Sequence, residues 1–290
     1  MTPWFLATRP KTLLAALVPV WVGTDLARHA QDGEWSPWLA FCTLASAVCI
    51  QIATNFFNDA IDFRKGADRE DRVGPRRATA SGLLSPRQVM VAAALVALLA
   101  ALFALPLIAA RGWVILAIGI PSLLLSYGYT GGPWPLAYKG LGELFVILFF
   151  GFVAVGGSFF VQTGAWEPAA LVAGFQVGLL ATVLIAVNNV RDIATDEACG
   201  KRTLAVRFGA GFARFEIVAL CLLPYLAGFH WVAYGSAALL VFPLGALSLG
   251  VVISVAVTRT EPGPAYNRIL GLSALQMLLF AILFSIGLAQ

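Results

Sequence analysis

Nine apolar stretches, most of them near the ~20 residues that a helix needs to cross a bilayer, dominate this chain. They run approximately over 13–30, 37–57, 87–110, 112–127, 141–162, 168–190, 213–231, 234–257 and 266–288. The fourth is short, and only Arg111-Gly112 divides it from the third, so that hairpin is the least sharply marked. Charged residues make up 12% of the chain, about half of the ~25% usual in soluble proteins. A chain so composed cannot clothe a water-facing globule, so lipid must be part of its solvent. The expected fold is all-α: a polytopic membrane protein of nine transmembrane helices forming a single domain over residues 1–290. The first stretch follows Arg9 and Lys11, contains Pro19 and shows no cleavage site leading to a soluble domain. It reads as a retained span and not a signal peptide. Cys42, Cys49, Cys199 and Cys221 form no C-x-x-C pair and read as packed thiols.

Lys and Arg sort by side. With nine spans, the N-terminus and the loops after even-numbered helices carry 17 of the 19 basic residues, leaving Arg28 and Arg111 opposite. By the positive-inside rule the N-terminus is cytoplasmic and the C-terminus outside. Eight spans would weaken this asymmetry.

Two Asn/Asp clusters follow even-numbered helices and so share the cytoplasmic side. The first is Asn55, Asn58, Asp59 and Asp62, with Asp68 beyond; the second is Asn188, Asn189, Asp192 and Asp196. Asn55, Asp59 and Asp62 fall on one helical face, and the Asn-x-x-x-Asp spacing of 58/62 recurs at 188/192. The recurrence reads as a weak internal repeat. Carboxylates and carboxamides at this density suit Mg²⁺, which takes one or two carboxylates and completes its shell with phosphate and water. Basic residues flank both clusters: Arg64, Lys65 and Arg72 at the first, Arg191, Lys201 and Arg202 at the second. They fit charge-assisted contacts to a prenyl-type diphosphate. Each feature has a plainer reading. One cluster alone is as readily a helix cap or solvated loop, and basic residues alone are more often determinants of topology. Matched spacing on one side favours a shared site.

These residues resemble the UbiA superfamily of intramembrane aromatic prenyltransferases. Its N-D-x-x-D motif is matched by Asn58 to Asp62, with Asp68 downstream, and its D-x-x-x-D motif by Asp192 to Asp196. In the commonest form of the first motif an Asp stands where this chain has Gly66; Asp68 lies two residues further on. That variant resembles the 1,4-dihydroxy-2-naphthoate polyprenyltransferase (MenA) branch, as do Asp71-Arg72-Val73-Gly74-Pro75, 7–13, 138–143, 188–192 and 200–207. The matches end near residue 210; the last three helices add only apolar character. The resemblance implies a central cavity with a lateral opening for the prenyl tail. It also implies Mg²⁺-assisted loss of pyrophosphate and attack by an electron-rich aromatic ring on the allylic cation, with loss of CO₂ in the naphthoate branch. The implied partners are polyprenyl diphosphate, an aromatic acceptor and membrane lipid, with no nucleic acid.

On this reading Asn58, Asp62, Asp68, Asp192 and Asp196 are metal ligands. Arg64, Lys65, Arg72, Arg191 and Lys201 bind diphosphate. The catalytic set is Lys139, facing an acceptor carboxylate or phenolate, Glu143, taking a naphthol proton, and Asp59, which is also a second-rank ligand. Lys139 is equally a snorkelling lysine and Glu143 a helix cap. Tyr127, Tyr129, Tyr138, Phe145, Phe149, Phe150 and Phe152 either shield the cation or are interfacial and packing residues. Gly151, Gly156 and Gly157 serve either close helix approach or room for the isoprenoid. Other classes stay open: a cation or solute transporter, which would place its acids near the midplane; a non-catalytic quinone-binding subunit; and prenyl transfer to another acceptor such as 4-hydroxybenzoate.

Overall fold

Proline and serine set where the helices begin. Pro10, Pro37, Pro86 and Pro168 each occupy a first helical turn, where a missing N–H costs nothing. Ser36 accepts from the Leu39 N–H, and Ser85 forms a reciprocal capping box with Gln88. The computed structural model describes residues 3–31, 33–67, 73–74 and 77–290. Among these there is no strand, and nine long helices follow in order: α1 (Pro10–Ala30), α2 (Pro37–Arg64), α3 (Pro86–Arg111), α4 (Trp113–Gly128), α5 (Gly142–Thr163), α6 (Pro168–Arg191), α7 (Leu204–Ala233), α8 (Ala238–Arg259) and α9 (Tyr266–Leu288). Seven of them, α2, α3 and α5 to α9, are long and apolar enough to cross a membrane; α4 is apolar but has 16 residues. The protein is a multi-pass membrane protein.

Two boundaries differ from the sequence reading. The second span was placed at 37–57, but α2 runs on to Arg64, so Asn58, Asp59 and Asp62 are still helical. The seventh was placed at 213–231, but α7 begins at Leu204 and kinks at Gly209 (φ 81°, ψ 169°). Apolarity marks the lipid-facing part of a helix and misses the polar turns that extend it.

The α1–α5 half wraps a cavity, and α6 to α9 supply most of a large buried apolar cluster. In α6, 78% of the apolar window is buried, against 17% in α3, so α6 is the central post and α3 faces lipid. Leu95, Leu98, Leu102 and Leu105 form the exposed stripe of α3. Backbones approach closely where α5 meets α6: a Cβ added at Gly151 would lie 2.5 Å from the Gly174 carbonyl oxygen. The middle of α5, Ile147–Gly156, is wound as a π-helix. Cys42, Leu107, Ile115, Phe160 and Val161 pack together at the end of the bundle away from the acidic motifs, and Leu107, Ile115 and Val161 also line the cavity. There Arg111 ties the α3–α4 hairpin to α5, donating to the carbonyls of Val161 (2.8 Å) and Gln162 (2.6 Å).

Candidate active site

The end of α2 splits its polar residues between two directions. Asn55 donates to the Thr8 carbonyl (2.9 Å) and the Thr12 hydroxyl (3.0 Å), bracing the junction at Arg9, whose φ is 51°. Asp59, 1% exposed, accepts from the Thr79 hydroxyl at 2.5 Å. Both therefore hold the surrounding chain. Asn58 and Asp62, one turn apart, turn to the segment after α4. Asn58 Oδ1 accepts from the Thr130 hydroxyl, and Asp62 Oδ1 accepts from the Tyr138 hydroxyl at 3.0 Å. Arg77 approaches the other Asp62 oxygen at 3.8 Å. Lys65 donates to the Thr130 carbonyl (2.7 Å), with its ammonium 4.1 Å from the centre of the Tyr138 ring.

The second cluster sits where α6 breaks. Asp192 leaves helical geometry (φ −101°, ψ 11°), and a short helix, Ile193–Ala198, carries Asp196. Arg191 clamps Asp192 with two bonds of 2.8 and 2.7 Å. It also donates to Asn267 Oδ1 at 2.8 Å, and Asn267 donates to the Val73 carbonyl at 3.4 Å. Lys201 pairs with Asp196 at 3.5 Å. Asn189 donates to Glu143 Oε1 at 2.6 Å, joining α6 to the start of α5.

Electrostatics join the clusters. Burial pushes the Asp196 carboxyl up to about 6; Lys201 opposes this, while Asp192 and Asp62 add to it. Asp62 belongs to the other motif, so the two acidic groups feel one another's charge. Tyr129 is raised well above the ordinary phenol value, first by burial and then by Glu143, Asp62 and Asp196. Tyr138 is raised too, by burial and then by Asp62. Lys65 is lowered by loss of solvent, with Asp62 opposing. Tyr129 also lines the cavity, so the carboxylates lie towards that end of it.

The cavity, about 210 Å³, is apolar despite several hydroxyls. Thr43, Thr54, Ser122, Ser126 and Ser158 each donate to a carbonyl within their own helix, and Ser46 donates to Ala100 across to α3. Phe145, Phe149 and Phe150 line it. Tyr127 and Phe152 do not; they pack on Phe57 and Phe175.

Among the described residues, no three His, Cys, Asp or Glu side chains come together as a ready cation cage. Yet Asp196 Oδ2 is buried without a hydrogen-bond partner, as are Asp59 Oδ2 and Glu143 Oε2. An acid with a free buried oxygen, faced by a second acidic motif, fits a hard cation that takes its remaining ligands from substrate and water.

Of the sequence-expected residues, Asn58, Asp62, Lys65, Asp192, Asp196, Arg191 and Lys201 are drawn to these clusters. Arg64 is exposed at the end of α2. Lys139 is exposed, its ammonium 5.4 Å from the Trp134 ring centre, and is not brought to the carboxylates. Asp68 and Arg72 lie outside the described residues. Thr79, Thr130 and Asn267 escaped the sequence reading. They are single polar residues in turns or at an apolar helix start, with no motif to mark them.

The family model for UbiA prenyltransferases matches residues 16–286. The chain belongs to the UbiA prenyltransferase family. It is 31% identical to the 1,4-dihydroxy-2-naphthoate octaprenyltransferase of Haemophilus influenzae over 98% of this chain and 95% of that protein. It is 39% identical to the Mycobacterium tuberculosis protein of the same name, over 71% of this chain and 70% of that one. Its fold matches that of a UbiA homolog from Archaeoglobus fulgidus bound to DMAPP and Mg²⁺, with a TM-score of 0.65 at 16% identity, over 98% of this chain and 99% of that chain. As a UbiA family member the protein is a prenyltransferase.

Proposed function

We propose that this UbiA-family chain transfers a polyprenyl group from polyprenyl diphosphate to 1,4-dihydroxy-2-naphthoate, releasing pyrophosphate and CO₂, in menaquinone synthesis. The observation that carries the reading is that Asp62 and Asp196, from separate motifs, feel one another's charge beside an apolar cavity lined by Tyr129. The names of the Haemophilus and Mycobacterium relatives support the acceptor. The 17-to-2 division of basic residues supports a bacterial inner-membrane protein with its N-terminus and both motifs cytoplasmic and its C-terminus outside. The whole chain is read as one domain.

Asn58, Asp62, Asp192 and Asp196 are the side chains that would hold Mg²⁺, with Asp68 a further ligand on the strength of its motif alone. The ion, when bound, neutralises diphosphate charge and so favours departure of pyrophosphate. Lys65, Lys201 and Arg191, with Arg64 and Arg72, supply cationic hydrogen bonds to phosphate oxygens. The donor C1–O bond breaks, and its electron pair leaves with pyrophosphate. Phe145 and Phe149 present ring faces to the positive charge, and the apolar walls keep out water that would give prenyl alcohol. A ring carbon of the acceptor attacks C1. The bond from that carbon to the carboxyl group then breaks, returning its electron pair to the ring as CO₂ departs. Glu143, through its unpartnered Oε2, holds the naphthol hydroxyl proton during attack and returns it afterwards.

The test is product analysis by mass spectrometry. Purified protein in lipid receives Mg²⁺, an allylic diphosphate and either 1,4-dihydroxy-2-naphthoate or 4-hydroxybenzoate. The expected product is a decarboxylated prenyl-naphthol that disappears with EDTA. Prenylated hydroxybenzoate alone would overturn the acceptor and keep the chemistry.

A further inference from the structure

One face of α5 lines the cavity along its length: Phe145, Phe149, Val153, Gly157 and Val161, each four residues after the last. A straight α-helix does not allow this. Its turn holds 3.6 residues, so twelve residues on, position 157 would stand about a third of a turn away from position 145. The π-helical run Ile147–Gly156 has turns closed by i→i+5 bonds that hold more than four residues, and these rotate the face back. Gly157 follows directly on that run.

The three glycines of this region have different surroundings. A Cβ at Gly151 would meet the Gly174 carbonyl at 2.5 Å, and one at Gly156 the Trp166 ring at 3.0 Å. At Gly157 the nearest atom would be Ile118 Cδ1, at 3.8 Å. Gly157 is nevertheless buried, so the open space before it is the cavity itself. Its level lies on the order of 15 Å from Phe145 at helical rise. Each isoprene unit adds four chain carbons, about 5 Å when extended at ordinary C–C bond lengths. Laid along this face, a two-unit tail stops short of Gly157 and a longer one reaches it.

We infer that Gly157, held in the cavity wall by the π-helical segment of α5, is a specificity-determining residue for the length of the prenyl donor: its missing side chain is what admits tails of more than a few isoprene units. The inference rests on the prenyl-transfer reading of the cavity.

The experiment compares wild type, Gly157→Ala and Gly157→Leu, as the full chain in lipid. Initial rates are taken with all-trans allylic diphosphates of two and of eight units at saturating acceptor and Mg²⁺. Gly157→Leu should raise KM for the eight-unit donor at least tenfold and leave two-unit kinetics within about twofold. Gly157→Ala, whose Cβ finds only ordinary contact, should fold like wild type and shift the same ratio by less. Equal losses with both donors, or no change with either, would overturn the inference. A wild type that turned over neither donor would instead overturn the prenyl-transfer reading on which it stands.

Discussion

Asp59, Asp62 and Asp196 come from two similar motifs and have three different environments. Asp59 is sealed against Thr79. Asp62 is shared between Tyr138 and Arg77. Asp196 keeps one oxygen for Lys201 and leaves the other buried without a partner. Burial holds the Asp196 carboxyl near 6, above its ordinary value, so the fold favours its protonated form and loses stability as pH rises from the ordinary carboxylate range to about 6. If Asp196 is a metal ligand, as proposed, a cation competes with that proton. Above pH 6 the site is already ionised; below it, proton and Mg²⁺ compete. The Mg²⁺ concentration for half-maximal rate should therefore be level above about pH 7 and climb towards about tenfold per pH unit below 6. Asp196→Asn should lower turnover by ~100-fold or more, over ~2.7 kcal/mol of transition-state stabilisation, and its residual activity should lack this pH dependence. A Mg²⁺ requirement that stays flat across this range in the wild type would remove Asp196 from the metal site.

Helix α5 serves two neighbours with opposite demands. Towards the cavity it must stay open, and towards α6 it must come close enough for backbones to touch. Gly151 meets the second demand, with Gly174 and Gly178 facing it. Gly151→Ala places a methyl 2.5 Å from a carbonyl oxygen of another helix, and neither backbone can yield locally. The expected cost is about 1–3 kcal/mol, the usual range for overpacking, read as a lower unfolding temperature in detergent. Gly157→Ala is the matched control and should unfold near the wild-type temperature. Equal temperatures for all three proteins would contradict the close approach of α5 and α6. The sequence places these glycines in one span but does not separate their roles. An α-helical wheel misassigns the faces of α5 because the π-helical run changes its period. Similarly, hydropathy ends α2 at residue 57, although the helix carries Asn58 to Asp62 on its last polar turns.

At the scale of the molecule, the nine apolar stretches made the helical architecture legible, and the bias of basic residues is what the proposed cytoplasmic side of both acidic motifs rests on. Asn58–Asp62 and Asp192–Asp196 stood out as candidates because clustered side-chain oxygens are rare in a chain this apolar. What holds them in place was not, because the partners are single residues distant in sequence: Thr79, Thr130, Tyr138 and Asn267. Asn267 also corrects the reading of the last three helices as purely apolar. At the start of α9 it accepts from Arg191 and donates to the Val73 carbonyl, linking the second acidic motif to the loop that follows the first. Asn267 thus adds a polar link between the two halves of the bundle, using both its oxygen and its nitrogen. Asn267→Ala leaves the Arg191–Asp192 clamp free to swing. It should raise KM for the diphosphate donor about tenfold, or ~1.4 kcal/mol, with little change in unfolding temperature, since the residue lies at an end of the bundle and not in its core. Asn267→Asp keeps the acceptor for Arg191 and loses the donor to Val73. If the Arg191 contact positions the site, the Asp variant should recover most of the donor affinity while the Ala variant does not. If the Val73 contact does so, both should fail alike. Wild-type KM in both variants would show that neither contact positions the donor.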